Sequence, residues 1–109
     1  MAFDEALAER VRQQLVRRRN VEEKKMFGGV GFLLNGNLLV GVWKTSLVAR
    51  IGTEQYDEAL AEEHVRKFDI TGREMRGWVL VDGDGVESGE QLRSWIDRAT
   101  NFVRELPGK

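Results

Sequence analysis

Two stretches of the sequence contain residues that could do chemistry, and neither completes the pattern that its chemistry requires. The segment Phe27–Gly31 (FGGVG) suggests a phosphate-binding loop, but a dinucleotide fingerprint would need glycine at Leu34 and a helix to follow. Asp82–Gly85 (DGDG) suggests a calcium loop, but Glu87 and Arg93 stand where such a loop needs glycine and glutamate. We therefore interpret both stretches as turns.

His64 is the single histidine, and the chain has no cysteine. A zinc site or an activated nucleophile needs partner residues, and no serine lies in a G-x-S-x-G context. We therefore predict that the protein is not an enzyme and has no cofactor or metal site, and we expect His64 to end a helix. A pocket near His64, Arg50 and Trp78, serving a small ligand or a reaction, stays open as an alternative.

Two groups of cationic residues could bind nucleic acid if the fold brought them together around Trp78. They are Arg17–Arg19 with Lys24 and Lys25, and Arg66 and Lys67 with Arg73 and Arg76. Acidic residues are interleaved with both groups, and the formal net charge is −1, from 17 basic and 18 acidic residues. Dedicated nucleic-acid binders usually carry a basic excess, so we favour solvated helix ends and keep nucleic-acid binding as an alternative.

The bulk composition indicates one soluble domain. A chain of 109 residues, 41% apolar and 32% charged, is long enough for a single core, and we predict one domain over residues 1–109. The lack of cysteine favours a reducing compartment. The N-terminal residues lack the apolar stretch of a signal peptide, and no apolar run approaches a membrane span. We therefore expect a cytoplasmic protein without membrane contact.

The most strand-like part of the chain is Met26–Ile51. Asn35-Gly36 separates two apolar runs there and predicts a tight β-hairpin, and Lys44–Ser46 predicts a second turn. The polar segment Val21–Phe27 is interpreted as an edge strand, because edge strands tolerate charge. Gly77–Val81 is predicted to be a short buried strand.

Three helices are predicted around these strands. The first is capped by Asp4 and runs to about Arg18, with apolar residues at spacing four. The second extends from Glu54 to about His64, with Thr53 as its cap. The last begins after Ser88 and follows the three-four spacing closely, and Gln91 can complete a capping box with Ser88.

The predicted architecture is an α+β fold in two layers, an antiparallel sheet with flanking helices. The order is helix, three or four strands, helix, one or two strands, helix. Each helix has one apolar stripe, but the hairpin strands are apolar on both faces. We therefore expect a symmetric partner, a ligand or the helix ends to cover the second face. Trp78 and Trp95 could pack together.

Two segments resemble the signatures of the TfoX N-terminal domain family. The first is Lys25–Phe32 (KMFGGVGF), followed by a short hairpin, and the second is Phe68–Val79 (FDITGREMRGWV), with a G-R-x-M-[KR]-G-W pattern. The resemblance extends from about Val21 to Leu106. It implies a small two-layer fold similar to secretion chaperones, and the family brings no established catalytic residues.

The resemblance also implies a bacterial regulatory role. Some members are TfoX/Sxy regulators of natural competence that work with a cyclic-AMP receptor protein and carry a C-terminal helical domain. This sequence ends at Lys109 without that domain, so we expect a stand-alone N-terminal domain. Our leading hypothesis is a non-enzymatic interaction or regulatory module, dimeric, acting by protein contacts. The signature positions that could form its interaction surface are Met26, Phe27, Gly28, Gly29, Arg50, Arg73, Met75, Arg76, Gly77 and Trp78.

Overall fold

A computed structural model describes residues 3–26, 28–69, 72 and 75–108. The elements within these residues are α1 (Glu5–Leu15), β1 (Val21–Met26), β2 (Gly29–Leu34), β3 (Asn37–Trp43), β4 (Ser46–Arg50), α2 (Tyr56–Leu60), β5 (Val65–Lys67), β6 (Trp78–Val81), a 3₁₀ turn (Gly83–Gly85) and α3 (Gly89–Val103). Four strands precede the second helix and two follow it. The predicted α+β fold and order of elements are confirmed.

The strands form one open antiparallel sheet in the order β1-β2-β3-β4-β6-β5. β1 and β5 are therefore its two edges, as the charged sequence of β1 predicts. Asn35 and Gly36 connect β2 to β3 with φ values of 53° and 85°, which a two-residue type I′ turn requires. The turn after β3 begins at Lys44, which also has a positive φ.

The helix caps follow from local sequence. The Asp4 carboxylate accepts a hydrogen bond from the Leu7 N–H, and Ser88 and Gln91 form the predicted reciprocal capping box of α3. α1 ends at Leu15 rather than Arg18. None of the helices in the described residues is long and apolar enough to cross a membrane.

The prediction for the second helix is wrong in length. α2 covers only Tyr56–Leu60 and has no side-chain cap from Thr53. In a longer helix the buried face would continue at Glu63 and His64, and both of these residues are exposed. His64 has a φ of 68° and its carbonyl oxygen accepts a hydrogen bond from the Asp82 N–H, so it lies outside the helix and leads into β5.

The main core lies between the three helices and one face of the sheet. Side chains that alternate along the strands, such as Val40, Val42 and Leu47, pack there with Ile96 of α3 and Val11 of α1. This is the layer that the apolar helix stripes predict. Burial of this layer is the dominant favourable contribution to folding.

A smaller apolar cluster covers part of the opposite face. Val48 of β4 and Leu80 of β6 are fully buried beneath Phe68, with Met75 and Trp78 packed against them. Phe68 and Met75, which lie between β5 and β6 in the sequence, cover this part of the face. Neither was among the covers that the sequence predicted. Trp95 belongs to the main core and Trp78 to this cluster, so the predicted packing of the two indoles is wrong.

Candidate functional site

The two signature segments lie at opposite ends of the sheet. Met26 closes β1 opposite Gly29, at the end where β3 turns into β4. Arg50 closes β4 opposite Trp78, at the other end. The antiparallel order therefore does not bring the predicted interaction residues into one surface. Phe27 and Arg73 lie outside the described residues.

In the first signature, the Met26 side chain packs on the backbone of β2 at Gly31. A Cβ atom built at Gly31 would lie 2.5 Å from the Sδ of Met26 and 2.7 Å from a methyl carbon of Leu38. Met26 therefore lies across β2 at a place where any larger residue would collide with it. Gly28 forms the turn before β2 and has a φ of 76°. The contact between Met26 and Gly31 and the positive φ of Gly28 give these residues a role in folding.

The second signature surrounds a cation. The Arg50 guanidinium lies 5.1 Å from the centre of the Trp78 ring and 5.7 Å from that of Phe102. Both distances fall within the range of cation–π attraction. Arg50, Trp78 and Phe102 are called the Arg50 corner below. Phe102 is the member that sequence reasoning missed, because it falls on the apolar stripe of α3.

Arg50 is partly buried and has no ion pair within the part of the chain that the structure describes. Burial lowers the pKa of Arg50 from its usual value. Among the described residues, no acidic side chain forms a salt bridge with it. The two rings therefore hold a guanidinium that no carboxylate of residues 3–26, 28–69, 72 and 75–108 engages.

Trp78 is fixed in place from its other side. Its ring stacks on Phe68 with centroids 5.7 Å apart and an interplanar angle of 18°. Its backbone N–H donates to the Met75 carbonyl oxygen at 3.1 Å. Met75, predicted as a surface residue, is half-buried beneath this arrangement. These contacts position the Trp78 ring against the Arg50 guanidinium.

Arg76 points to a different neighbour. Its guanidinium lies 4.9 Å from the centre of the Tyr56 ring and 3.7 Å from the Asp57 carboxylate, both on α2. It therefore joins the β5–β6 connection to the short helix. Gly77, the next residue, is buried and contributes only its backbone.

A cleft of about 310 Å³ opens beside the Arg50 corner. It is lined by Phe102 and Asn101 of α3 and by the chain that follows β4, residues 51–55. Phe102 belongs to both the cleft and the corner. Thr53, Gln55 and Asn101 add polar residues to this lining, so the cleft can receive a side chain that combines apolar and polar parts.

A cleft does lie beside His64, but Arg50 and Trp78, which were predicted to share it, are not among the residues that line it. An open cleft of about 620 Å³ is lined by His64, Trp95 and Arg98, together with glutamates at 62, 63 and 90. Arg98 lies over Trp95 at 4.1 Å and pairs with Glu62 at 3.0 Å. His64 precedes β5, at the end of β6 away from Trp78, so neither Trp78 nor Arg50 lines this cleft.

The two basic groups lie at opposite edges of the sheet. Lys24 is on β1 and Arg66 on β5, and five strand spacings of about 4.8 Å separate these edges. Arg66 is engaged by the Asp82 carboxylate at 2.7 Å and Arg18 by Asp97 at 3.2 Å. The fold therefore does not build the joint cationic patch around Trp78. Arg17, Arg19 and Lys25 remain exposed.

No cluster of three or more histidine, cysteine or acidic residues in the described parts of the chain could hold a metal ion.

Searches of curated proteins and of solved structures each found no match. A family model, that of the TfoX N-terminal domain, matches residues 13–103, a range that includes every element from β1 to α3. The chain belongs to the TfoX N-terminal domain family.

Proposed function

We propose that this protein is a regulatory interaction module without catalytic activity, and that the Arg50 corner receives a carboxylate of a partner protein. The observation that carries the proposal is the partly buried guanidinium of Arg50, held between two rings and lacking an ion pair among the described residues. A carboxylate in that place would offset the desolvation of the charge and accept two parallel hydrogen bonds.

The corner also has the composition of a protein contact. Arginine and tryptophan are the residues that most often dominate the energy of an interface. Trp78 and Phe102 leave little conformational freedom for Arg50 to lose on binding, which lowers the entropic cost of association. The neighbouring cleft gives room for the side chains that flank the partner's acidic residue.

The regulatory part of the proposal rests on the family. The resemblance implies bacterial regulators that work with another protein, and a contact site of this kind agrees with that role. The chemistry that the sequence offered for an enzyme, a pocket joining His64 to Arg50 and Trp78, has no geometric support, because His64 lies at the other end of β6.

The test compares two arginine variants as baits. Arg50→Met removes the charge and keeps most of the aliphatic length, and Arg93→Met makes the same change on the exposed side of α3. The unchanged chain and Arg93→Met should capture the same proteins from a native lysate. Arg50→Met should capture roughly tenfold less of them, or lower still, because a charge-assisted contact is lost. The same proteins captured equally by all three baits would contradict the proposal.

A peptide titration tests the chemistry of the ligand directly. An acetylated peptide with alternating aspartate and glycine should shift the NMR signal of the Trp78 indole N–H. The control peptide, which has asparagine in place of each aspartate, should not shift it. Arg50→Lys should bind less tightly than the unchanged chain, because lysine keeps the charge and loses the planar pair of donors. Equal shifts with both peptides would exclude carboxylate recognition at this corner.

A further inference from the structure

β1 presents a free edge of the sheet that is long and regular. It pairs with β2 over six residues without a register shift, and no other described strand pairs with it. The opposite edge, β5, has only three residues. β1 contains no proline and no bulge, two of the devices that usually protect an edge from further pairing.

The geometry of the first hairpin shows which backbone groups are unpaired. In a two-residue hairpin the flanking residues, here Leu34 and Asn37, bond to each other, so the backbone groups of Leu33 point toward β1. Leu33 is opposite Glu22, and the alternation continues along the strand. The N–H and C=O groups of Val21, Glu23 and Lys25 therefore point away from the sheet.

Symmetry limits the ways in which β1 can pair with another copy of itself. Residues directly opposite in an antiparallel pair direct their side chains to the same face. A two-fold axis must therefore pass between the two copies of one residue, and an axis at Glu23 or Lys24 gives the longest overlap of the two strands. An axis at Lys24 would place two lysines face to face and set Glu22 against Met26.

An axis at Glu23 gives complementary charges. Glu22 of each copy then lies opposite Lys24 of the other, on the face away from the helices, and Val21 lies opposite Lys25. Glu22 and Lys24 are already near each other within one chain, with 4.0 Å between their charged atoms, so both side chains occupy that face. The backbone groups of Val21, Glu23 and Lys25 are the free ones, so this register satisfies them in one ladder.

The charge of the residue on the axis is partly offset within its own chain. Both carboxylate oxygens of Glu23 accept hydrogen bonds from Arg12 of α1, each at 2.8 Å. Arg12 also pairs with Glu9, so two Glu23 side chains that meet at the axis bring two shared guanidinium groups with them, which reduces the repulsion between the carboxylates.

An apolar margin runs beside the same edge. Val16 is 70% exposed, the one large apolar side chain of the described residues with that degree of exposure. It lines a shallow cleft of about 210 Å³ together with Leu15 and Val21. The aliphatic part of Lys25 from a second copy, opposite Val21, would lie over this cleft and cover it.

We infer that two copies of this chain associate through β1, antiparallel about a two-fold axis at Glu23, and so form one continuous sheet. The partner is a second copy because the charges of the strand complement themselves in the register that pairs all of its outward backbone groups. The Arg50 corner lies at the end of β4, away from this edge, so the inference does not depend on the function proposed for the corner.

Charge reversal gives the sharpest test. In sedimentation velocity across a range of protein concentrations, Glu22→Lys and Lys24→Glu should each weaken self-association roughly tenfold or more, because like charges then face each other twice. Mixed together, these two variants should associate with each other, since positions 22 and 24 are both cationic in the first and both anionic in the second. The double variant should dimerise like the unchanged chain.

A backbone test addresses the ladder itself. Lys25→Pro removes an outward N–H and should abolish the dimer. Lys25→Ala keeps that N–H and loses only the aliphatic cover of the cleft, so it should weaken the dimer far less. Circular dichroism and the thermal midpoint show whether each variant is folded. An unchanged chain that stays monomeric at every concentration would overturn the inference. So would a dimer that survives the single charge reversals.

Discussion

Gly77 lies with its backbone against Gly52. The Gly77 carbonyl oxygen accepts a hydrogen bond from the Gly52 N–H at 3.1 Å, and a Cβ atom at position 77 would come within 3.2 Å of the Gly52 carbonyl carbon. Both residues have positive φ, 93° and 90°. The contact fixes β6 beside the end of β4, so the signature glycine keeps Trp78 opposite Arg50 without touching either side chain.

Replacement of Gly77 should therefore destabilise the fold. Gly77→Ala imposes a left-handed conformation on a residue with a Cβ atom and brings that atom against the backbone of Gly52. We expect a loss of about 2–3 kcal/mol in the free energy of unfolding, measured with urea. The fluorescence of Trp78 should also change, since its position depends on this contact.

Gly28 provides the control for the steric part. It has a φ of 76°, but a Cβ atom there would meet nothing within 4 Å. Gly28→Ala should cost about 1 kcal/mol, from the backbone conformation alone. A loss equal to that of Gly77→Ala would show that the contact with Gly52 contributes nothing.

Met26 and Gly31 should be energetically coupled. Gly31→Ala introduces a methyl group into the space that the Met26 thioether and Leu38 occupy, and we expect a cost of about 1–3 kcal/mol. In a Met26→Ala background this cost should fall by at least about 0.5 kcal/mol, because one of the two obstructing side chains is gone.

A distant glycine tests whether that coupling is specific. Gly89 begins α3, and a Cβ atom there would meet nothing within 4 Å. Gly89→Ala and Met26→Ala should be additive within about 0.5 kcal/mol. Coupling of the same size at this position would contradict the direct contact between Met26 and Gly31.

The fold could be predicted where one local rule decided the structure. Asn35-Gly36 specified its turn because few other pairs adopt two positive φ values, and Ser88 with Gln91 specified the start of α3 through a reciprocal pair of hydrogen bonds. The end of α2 was missed because it depends on β5 pairing with β6, a contact between residues distant in sequence.

The candidate site was predicted only in part. Arg50 and Trp78 were chosen together, and the register of β4 with β6 does place them opposite each other. Phe102 was assigned to the core because its spacing on α3 is that of a buried stripe. Sequence spacing could not show that the first signature, around Met26, lies at the far end of the sheet, because strand order sets that distance.

The capping box of α3 should be measurable as stability. Ser88→Ala removes the acceptor of the Gln91 N–H bond, which is 3.0 Å long, and should cost about 1 kcal/mol in the free energy of unfolding. Ser94→Ala, on the exposed side of the same helix, should be neutral or slightly stabilising, because alanine has the higher helix propensity. Equal losses would contradict a role for the cap.

The ion pair between Arg66 and Asp82 should make stability depend on pH. Arg66 holds the pKa of Asp82 below its usual value of 3.8, first through their hydrogen bonds. A carboxyl whose pKa is lower in the folded chain contributes stability above its unfolded pKa. That contribution is lost as the pH falls through the lower, folded value.

The variant Asp82→Asn isolates this contribution from the other carboxylates. At pH 7 it should be less stable than the unchanged chain by at most about 1 kcal/mol, because the side chains of Arg66 and Asp82 are 54% and 40% exposed. The difference, measured by urea unfolding, should shrink as the pH falls below 3.8. A gap that stays constant down to acid pH would mean that Asp82 contributes through its hydrogen bond to Ser46 rather than through its charge.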